Sequence, residues 1–180
     1  MAKTAITLTK VTCADGTTDY KVGLNPNTNA DDKVQAFVDA FKSVANTASS
    51  TCHGLPTKLI LAMWGGESGW ATGNTQNSNQ NWSNMIYTSA TNPVGNIGEG
   101  KSGWAKFEGR SKHANGFAYF FINNSRYSAL IEYLKGTSSP DVDTCISHIA
   151  NAGYGGSDHA AYIETVKSWV STLVKRSDIE

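Results

Sequence analysis

The chain has 180 residues, with 15 Lys or Arg and 15 Asp or Glu, so its formal net charge is zero. This length is typical of one domain with a sizeable core. The balanced charge argues against nucleic acid as the main partner, because phosphate binding needs a basic face. Only 17% of residues are charged, and the many Asn, Ser, Thr and Gly residues predict a neutral polar surface that is compatible with carbohydrate.

No apolar run reaches the roughly 18 residues that a membrane-spanning helix needs, so the sequence predicts no membrane span. The stretch MAKTAITLTKVTCADG has no continuous apolar core, and we identify no signal peptide in it. Three cysteines, Cys13, Cys52 and Cys145, would leave one thiol unpaired beside a disulfide, or would all be free. The cysteine count therefore leaves the compartment open.

Residues 1–30 alternate polar and β-branched residues around the turn sequence ADG, which predicts an N-terminal hairpin or an irregular arm. We assign residues 31–180 to the main domain. Asn29 is a candidate cap for its first helix. Apolar residues then recur at spacings of three and four, which predicts an amphipathic helix. They are Val34, Phe37, Val38, Phe41, Val44 and Ala48.

Pro56 is well placed at the first position of a second helix. The run LILAMW that follows is apolar throughout, which predicts a helix surrounded by protein. Residues 71–110 are rich in Gly, Asn, Ser and Thr and predict loops with a small hairpin, not helix. Further helices are predicted through ANGFAYFF and, after a break, RYSALIEYL, then from Ser139 and Pro140, and finally after Ser157. The fold class is therefore mostly α (α+β).

A single carboxylate, Glu67, follows the apolar run in LILAMWGGESGW, where we expect it just beyond the helix end. Burial against Met63, Trp64 or Trp70 would raise its pKa. A carboxyl group that stays protonated near neutral pH can donate a proton to a glycosidic oxygen. The glycines at 65, 66 and 69 would allow backbone and ligand to approach closely. The alternative is that Glu67 only caps the helix or forms a salt bridge.

The stretch LPTKLILAMWGGESGWA resembles the motif of the glucosaminidase family of peptidoglycan hydrolases, glycoside hydrolase family 73. In that family an Ala- and Leu-rich helix runs into E-S-G-W-G, which bears the catalytic acid; Ala71 stands here where the family commonly has Gly. NWSNMIY is a loose counterpart of its N-L-F-G-I segment, and WAKFEGR partly matches A-x-F-R-x-Y, with Glu108 replacing the Arg. NAGYGGSDHAAYIETV matches its G-Y segment before the last helix. These matches run in order over residues 35–175.

The resemblance implies a lysozyme-like helical domain with a small β-containing lobe, the two forming a glycan cleft. It implies an endo-β-N-acetylglucosaminidase that cleaves the link from N-acetylglucosamine to N-acetylmuramic acid in peptidoglycan. Glu67 would be the acid and Tyr154 a further site residue. No cofactor and no metal are expected. A muramidase or a lytic transglycosylase on the same scaffold is the nearest alternative.

The second catalytic group is open. Two-carboxylate glycosidases hold their groups about 5 to 9.5 Å apart, and Glu99 is our first candidate and Glu108 the second. Both are alternatively ordinary solvated loop charges. The acetamido group of the substrate can also serve as nucleophile. Tyr154 would then orient that group or donate to developing charge, unless it is only a packed aromatic.

Sugar binding is expected to involve the aromatic residues around Glu67, because the C–H face of a pyranose suits an aromatic plane. Aromatics are also common core residues, so we expect only one or two of them to touch substrate. The candidate substrate-binding residues are Trp70, Asn81, Trp82, Tyr87 and Trp104.

Three other functions compete with this interpretation. TCHGLPTKL superficially resembles the nucleophile region of NlpC/P60 cysteine peptidases, with Cys52 as nucleophile and His113, His148 or His159 as base. His53 replaces the usual serine there, and the chain is too helical for that fold. Cys145-x-x-His148 is a lone pair and predicts no metal site. A non-catalytic wall-binding module is the third possibility.

The chain shows no recognisable signal and no wall-anchoring repeats. We expect a monomer exported to act in the periplasm or cell wall, either as an antibacterial secretion-system effector or as a phage lysin. An effector would require an inhibitor, or immunity protein, in the producing cell that plugs the cleft.

Overall fold

The computed structural model describes residues 6–24, 33–88 and 92–180. Within these ranges a two-stranded hairpin, β1 (Ile6–Thr12) and β2 (Thr18–Leu24), precedes seven α-helices. The helices are α1 (Lys33–Thr51), α2 (Thr57–Ser68), α3 (Asn74–Asn79), α4 (Arg110–Ile122), α5 (Ser128–Gly136), α6 (Val142–Asn151) and α7 (His159–Arg176). The predicted mostly α class is confirmed. The proposed cap Asn29 lies outside the described residues. None of the described helices is long and apolar enough to cross a membrane.

The hairpin pairs β1 with β2 in antiparallel register, from Ile6 opposite Leu24 to Thr12 opposite Thr18. It is held to the helices by Asp19, whose buried carboxylate accepts hydrogen bonds from the backbone N–H groups of Ser111 and Lys112, both at 2.9 Å. Asp19 therefore caps the N-terminus of α4 from a distant part of the chain.

Gln80 makes a second attachment of the hairpin. Its side-chain Oε1 accepts from the backbone N–H of Val22 at 2.7 Å, and its Nε2 donates to the Val22 carbonyl at 2.8 Å. The amide thus pairs with the free edge of β2 as a neighbouring strand would. The predicted hairpin is present, and it packs on the same core as the helices.

Helix α2 lies at the centre of the molecule. The predicted burial of its apolar run is confirmed, because Leu59 to Trp64 are at most 1% exposed. α1, α4 and α7 complete the helical core, in which Phe41 contacts Trp64 edge to face at a ring separation of 6.2 Å. Burial of each such large side chain contributes about 1.5 to 3 kcal/mol, so this core holds the C-terminal end of α2 in place.

The glycines near that end serve protein packing. A Cβ at Gly65 would lie 2.2 Å from Cζ3 of Trp70, and a Cβ at Gly66 would lie 1.9 Å from Cδ2 of Trp169 on α7. Gly69 ends the helix in the left-handed conformation, with φ +60°. The close approach expected for a ligand at positions 65 and 66 is therefore made by two tryptophans of the protein.

Two helix boundaries and one additional helix differ from the sequence prediction. Pro56 lies immediately before α2, and Glu67 lies in its last turn, not beyond it. The segment 71–110, predicted without helix, contains α3. This polar helix has no apolar period to reveal it; it is held by Asn77, whose Nδ2 donates to the Ala71 carbonyl at 2.7 Å. Apart from α3, the described residues of 71–109, which we call the small lobe, are loop with a 3₁₀ turn at Lys101–Gly103 and the isolated bridges Ile86 to Trp104 and Glu99 to Ala105.

Candidate active site

The carboxyl group of Glu67 is half-buried and has two side-chain donors. Asn84 Nδ2 donates to Oε2 at 2.8 Å, and the Tyr162 hydroxyl lies 3.4 Å from Oε1. Burial raises the pKa of Glu67, while the hydrogen bonds from Asn84 and Tyr162 act in the opposite direction. The group is therefore biased toward the protonated form, and the same two donors stabilise its anion once the proton has left.

Asn84 is held in a conformation that few other residues adopt. Its φ is +52°, in the left-handed region where Asn is enriched among non-glycine residues. Gln76 Nε2 donates to Asn84 Oδ1 at 3.1 Å and to the backbone carbonyl of Glu67 at 3.3 Å. Because the Asn84 oxygen is occupied by this donor, its Nδ2 is directed to the Glu67 carboxylate.

Asn81, which is fully buried, anchors the loop that carries Asn84. Asn81 Nδ2 donates to the carbonyls of Met85 at 3.0 Å and Ala105 at 2.8 Å, and its Oδ1 accepts from the Met85 N–H at 3.2 Å. Asn81 was predicted to bind substrate. Its described hydrogen bonds are instead made within the protein, to the backbone and to Ser83, so the proposed site does not include it.

His113 on α4 provides a second anchor for this loop. Its Nε2 lies 2.8 Å from Ser83 Oγ, which lies 3.4 Å from Asn81 Oδ1. Burial lowers the pKa of His113 to about 3, so the ring is neutral at ordinary pH. A proton on Nε2 lets His113 donate to Ser83 and Ser83 donate to Asn81, which satisfies both bonds. His113 thus supports the loop that carries Asn84.

Tyr154 reaches the same loop from the segment before α7. Its hydroxyl donates to the Ser83 carbonyl at 2.8 Å. Its ring stacks on Phe121 at 5.8 Å and on Tyr162 at 6.1 Å. Burial raises the pKa of both tyrosines well above the ordinary value, so both remain neutral phenols.

Tyr162 is placed by the start of α7. Asp158 caps this helix by accepting from the Ala161 N–H at 3.0 Å. A Cβ at Gly155 would lie 2.1 Å from Tyr162 Cδ2, so only glycine leaves room for the ring. The capping residue and the glycine together bring the Tyr162 hydroxyl to Glu67.

Two adjoining clefts open beside these residues. The inner cleft has a volume of about 230 Å³, and its walls include Asn84, Ile86, Phe120, Asn124, Arg126 and Tyr154. The outer cleft, of about 280 Å³, has walls that include Pro93, Tyr119 and Asn123. The two share Phe120 and Asn124. We call the two clefts together the groove; Asn84, which contacts Glu67, lines the inner cleft, and Glu67 itself is not among the described residues that line either one.

The structure does not bring the predicted tryptophans into this groove. Trp82 is fully buried, and its Nε1 donates to Asn77 Oδ1 at 2.9 Å. Trp70 is 8% exposed and packs edge to face on Phe37 at 5.6 Å. Neither ring has a free face to offer a sugar, so neither belongs to the proposed site.

Tyr87 and Trp104 are half-buried in the small lobe. The Tyr87 N–H donates to the Gly103 carbonyl at 3.0 Å, and Trp104 is bridged to Ile86, which lines the inner cleft. Neither aromatic lines the two clefts itself. Both remain proposed binding residues at the edge of the groove.

Neither candidate second carboxylate is among the described side chains that contact the Glu67 carboxyl group, which are Asn84 and Tyr162. Glu99 is exposed in the small lobe and bridged through its backbone to Ala105. Glu108 accepts from the Ala14 N–H at 2.8 Å, in the turn of the N-terminal hairpin. Among the described residues, no carboxylate contributes to the pKa shift of Glu67, although a like charge close by would raise that pKa. Among the described residues, no carboxylate therefore pairs with Glu67.

The peptidase alternative has no support in the geometry. Cys13, Cys52 and Cys145 are free and buried, and burial raises the pKa of Cys52 to about 12. A nucleophilic cysteine needs the opposite shift and an accessible thiol. Within the ranges that the structure describes, no group of three or more potential metal-binding side chains occurs.

Sequence reasoning missed Asn84, Tyr162 and Gln76. Asn84 and Tyr162 both fall inside stretches that carry the family resemblance, NWSNMIY and NAGYGGSDHAAYIETV. Their role depends on contacts across 17 and 95 residues of sequence. The resemblance therefore covers the segments that carry both residues, and the fold brings their side chains to Glu67.

No family model matches the sequence, and no curated protein matches it either. Among solved structures, a peptidoglycan hydrolase from Sphingomonas sp. A1 is similar, with a TM-score of 0.62, 20% identity and coverage of 79% of this chain and 92% of that chain. The glycoside hydrolase domain of FlgJ from Salmonella typhimurium has a TM-score of 0.54 at 22% identity, covering 77% and 87%.

A type VI secretion system effector–immunity complex from Pseudomonas protegens is also similar, with a TM-score of 0.54, 22% identity and coverage of 79% of this chain and 94% of that chain. The chain shares the fold of these proteins. The lysozyme-like architecture that the sequence predicts is therefore confirmed, and each of these matches spans most of both chains.

Proposed function

We propose that this chain is a peptidoglycan hydrolase, an endo-β-N-acetylglucosaminidase in which Glu67 is the catalytic acid. One observation carries the proposal: a half-buried carboxyl group with a raised pKa lies between an amide donor and a phenol donor beside an open groove. The fold, shared with a peptidoglycan hydrolase and a glycoside hydrolase domain, supports this choice of substrate.

In the proposed reaction, Glu67 gives its proton to the oxygen that links N-acetylglucosamine to N-acetylmuramic acid. The bond from C1 to that oxygen breaks, and positive charge develops at C1. The Glu67 carboxylate left behind accepts from Asn84 and Tyr162, so its negative charge is stabilised as it forms. The carboxylate then takes a proton from the water that completes hydrolysis.

We further propose that the substrate's own acetamido group supplies the nucleophile, since the described side chains that contact the Glu67 carboxyl group, Asn84 and Tyr162, include no second carboxylate. Its carbonyl oxygen attacks C1, and water later opens the ring that forms. The Tyr154 hydroxyl already donates its proton to Ser83, so its oxygen is left to accept a hydrogen bond from the acetamido N–H. Tyr154 would orient the nucleophile and would not act as an acid.

A lytic transglycosylase is the second candidate, and the same single-carboxyl arrangement favours it. There the 6-hydroxyl of N-acetylmuramic acid attacks its own C1, which requires one acid and base and no other carboxylate. The two reactions leave different sugars at the newly formed C1 ends of their products.

Mass spectrometry of digested, purified peptidoglycan separates these functions. N-acetylglucosamine at the new reducing end supports the glucosaminidase. N-acetylmuramic acid at that end would identify a muramidase, and its anhydro form a transglycosylase. Released peptides with intact glycan strands would contradict glycan cleavage altogether.

We propose that the enzyme acts on the cell wall of a target cell as an antibacterial effector, with a phage lysin as the alternative. The structural likeness to a type VI secretion system effector–immunity complex supports the effector. An immunity protein would then occlude the inner cleft. Enzyme isolated from its native host should carry such an inhibitor in stoichiometric amount, and a preparation that is free of bound protein and fully active would contradict the effector.

A further inference from the structure

Among the described residues that line the groove, Arg126 is the one charged residue. The other residues of the inner and outer clefts are amides, hydroxyl-bearing, apolar or aromatic residues, or glycine. Arg126 is exposed. The ion pairs found among the described residues are Lys112 with Asp15 and Lys167 with Asp143, so no described carboxylate neutralises Arg126. The groove therefore presents an uncompensated cation.

The side chain of Arg126 lies beside Tyr127 and the segment that precedes α7. It belongs to the 3₁₀ turn Ser125–Tyr127, where its backbone N–H donates to Asn124 Oδ1 at 3.2 Å. Burial raises the pKa of Tyr127 to about 12, and the guanidinium beside that phenol acts in the opposite direction. Nη1 lies 3.7 Å from the position that a Cβ would take at Gly153. The cation is thus beside the backbone that carries Tyr154.

Resting on the function proposed above, we infer that Arg126 binds a carboxylate of the substrate and makes the groove selective for peptidoglycan over neutral N-acetylglucosamine polymers. A guanidinium matches a carboxylate with two parallel hydrogen bonds. A neutral glycan has no carboxylate for Arg126 to bind. The other described residues of the clefts are uncharged and suit neutral sugars. On peptide-bearing strands the carboxylate belongs to the stem peptide, because the lactyl carboxyl of N-acetylmuramic acid is bound to that peptide as an amide; on strands without peptide the lactyl carboxylate is free.

Steady-state kinetics on solubilised glycan strands tests this inference. Arg126→Gln should raise KM on peptide-bearing strands by about tenfold, the scale of losing charge-assisted hydrogen bonds, with little change in kcat. Arg126→Lys should recover part of the loss. Lys135→Gln, which removes an exposed charge outside the clefts, is the matched control and should have the wild-type KM.

Two modified substrates complete the test. Strands whose carboxyl groups have been converted to amides should give wild type and Arg126→Gln the same KM. Strands stripped of peptide by an amidase carry a free lactyl carboxylate: a persisting difference means that Arg126 also binds this group, and a vanished one restricts the contact to the stem peptide. Equal KM values on intact strands, or an equal loss on amidated strands, would overturn the inference.

Binding separates this inference from the proposed function. Cosedimentation of Glu67→Gln protein with insoluble peptidoglycan does not depend on turnover. Adding Arg126→Gln should weaken this binding about tenfold, and should have no effect on binding to amidated peptidoglycan. A wild-type enzyme that binds in this way and cleaves nothing would refute the glycosidase and leave the carboxylate contact standing. Binding that Arg126→Gln does not weaken would refute the contact.

Discussion

Asn84 Nδ2 lies 2.8 Å from Glu67 Oε2, and the Asn84 oxygen is held by Gln76 at 3.1 Å. The amide therefore presents a donor, and only a donor, to the carboxyl group. Such a contact favours the anion, so it opposes the effect of burial on the pKa of Glu67. It also fixes the direction of the carboxyl group relative to the inner cleft.

Replacing Asn84 tests both consequences. Asn84→Ala removes a donor to the anion, so the pKa of Glu67 should rise further, and the alkaline limb of the pH–activity profile should move to higher pH. kcat should fall by about 10- to 100-fold because the acid is less well positioned. Asn151→Ala, at the exposed end of α6, is the control. An alkaline limb that stays in place or moves to lower pH would contradict the assigned contact.

His113 should make the fold sensitive to acid. Its pKa is lowered to about 3 in the folded protein from the ordinary 6.5, so the unfolded chain binds its proton first as the pH falls. Stability is then lost as the pH falls from 6.5 toward 3, with a slope of at most about 1.4 kcal/mol per pH unit from this group.

Urea unfolding at several pH values measures this effect. His113→Gln should be less stable at pH 7 and should have a shallower dependence on pH between about 3 and 6.5 than wild type. His53→Asn, at an exposed position with positive φ, serves as the control because Asn tolerates that conformation. If the free energies of unfolding of His113→Gln and wild type changed in parallel with pH, His113 would not be buried as a neutral ring.

Gly66 links the position of α7 to the site. Gly66→Ala would place a methyl group 1.9 Å from Cδ2 of Trp169, so α7 must shift and carry Tyr162 away from Glu67. We expect a loss of about 1 to 3 kcal/mol of stability and a lower kcat. Gly136→Ala is the matched change, because no atom lies within 4 Å of the added Cβ, and it should leave both quantities near wild type. Equal effects of the two substitutions would contradict the packing.

Replacing the buried Asp19 should lower the free energy of unfolding more than replacing the exposed Asp15. Asp19→Ala leaves the N–H groups of Ser111 and Lys112 without their acceptor, which should cost about 2 kcal/mol in the free energy of unfolding. Asp15→Asn removes only an exposed ion pair with Lys112 and should cost less. Chemical denaturation compares the two, and a larger loss for Asp15→Asn would contradict the capping role.

Local patterns predicted the helices well and the site only in part. The spacing of Phe37, Phe41 and Val44 sufficed for α1, and an unbroken apolar run sufficed for α2. α3 escaped prediction because side-chain bonds such as those of Asn77 hold it, not an apolar period. A tryptophan in sequence looks the same whether it stacks on a sugar or fills a core, so Trp82 and Trp70 were placed only by the fold.

Local sequence also did not predict the hydrogen-bond partners of Glu67. The carboxylate stands out in sequence because its surroundings are apolar, and its role as the acid remains a prediction. Tyr162 reaches it only because Gly155 and the Asp158 cap set the start of α7, a condition created by tertiary packing. Local sequence contains no comparable signal for His113, whose role follows from its contact with Ser83.

The most direct test compares three glutamates on purified peptidoglycan. Glu67→Gln removes the proton donor and keeps the shape of the side chain, so the rate of glycan cleavage should fall by about 10²- to 10⁴-fold. Because burial raises the pKa of Glu67 above its unfolded value, its ionised form costs stability at pH 7. The variant should therefore unfold at a temperature no lower than wild type, which excludes misfolding as the cause.

Glu99→Gln and Glu108→Gln should stay close to the wild-type rate. Wild-type cleavage by Glu67→Gln, with activity lost in one of the other two, would contradict the assignment of the acid.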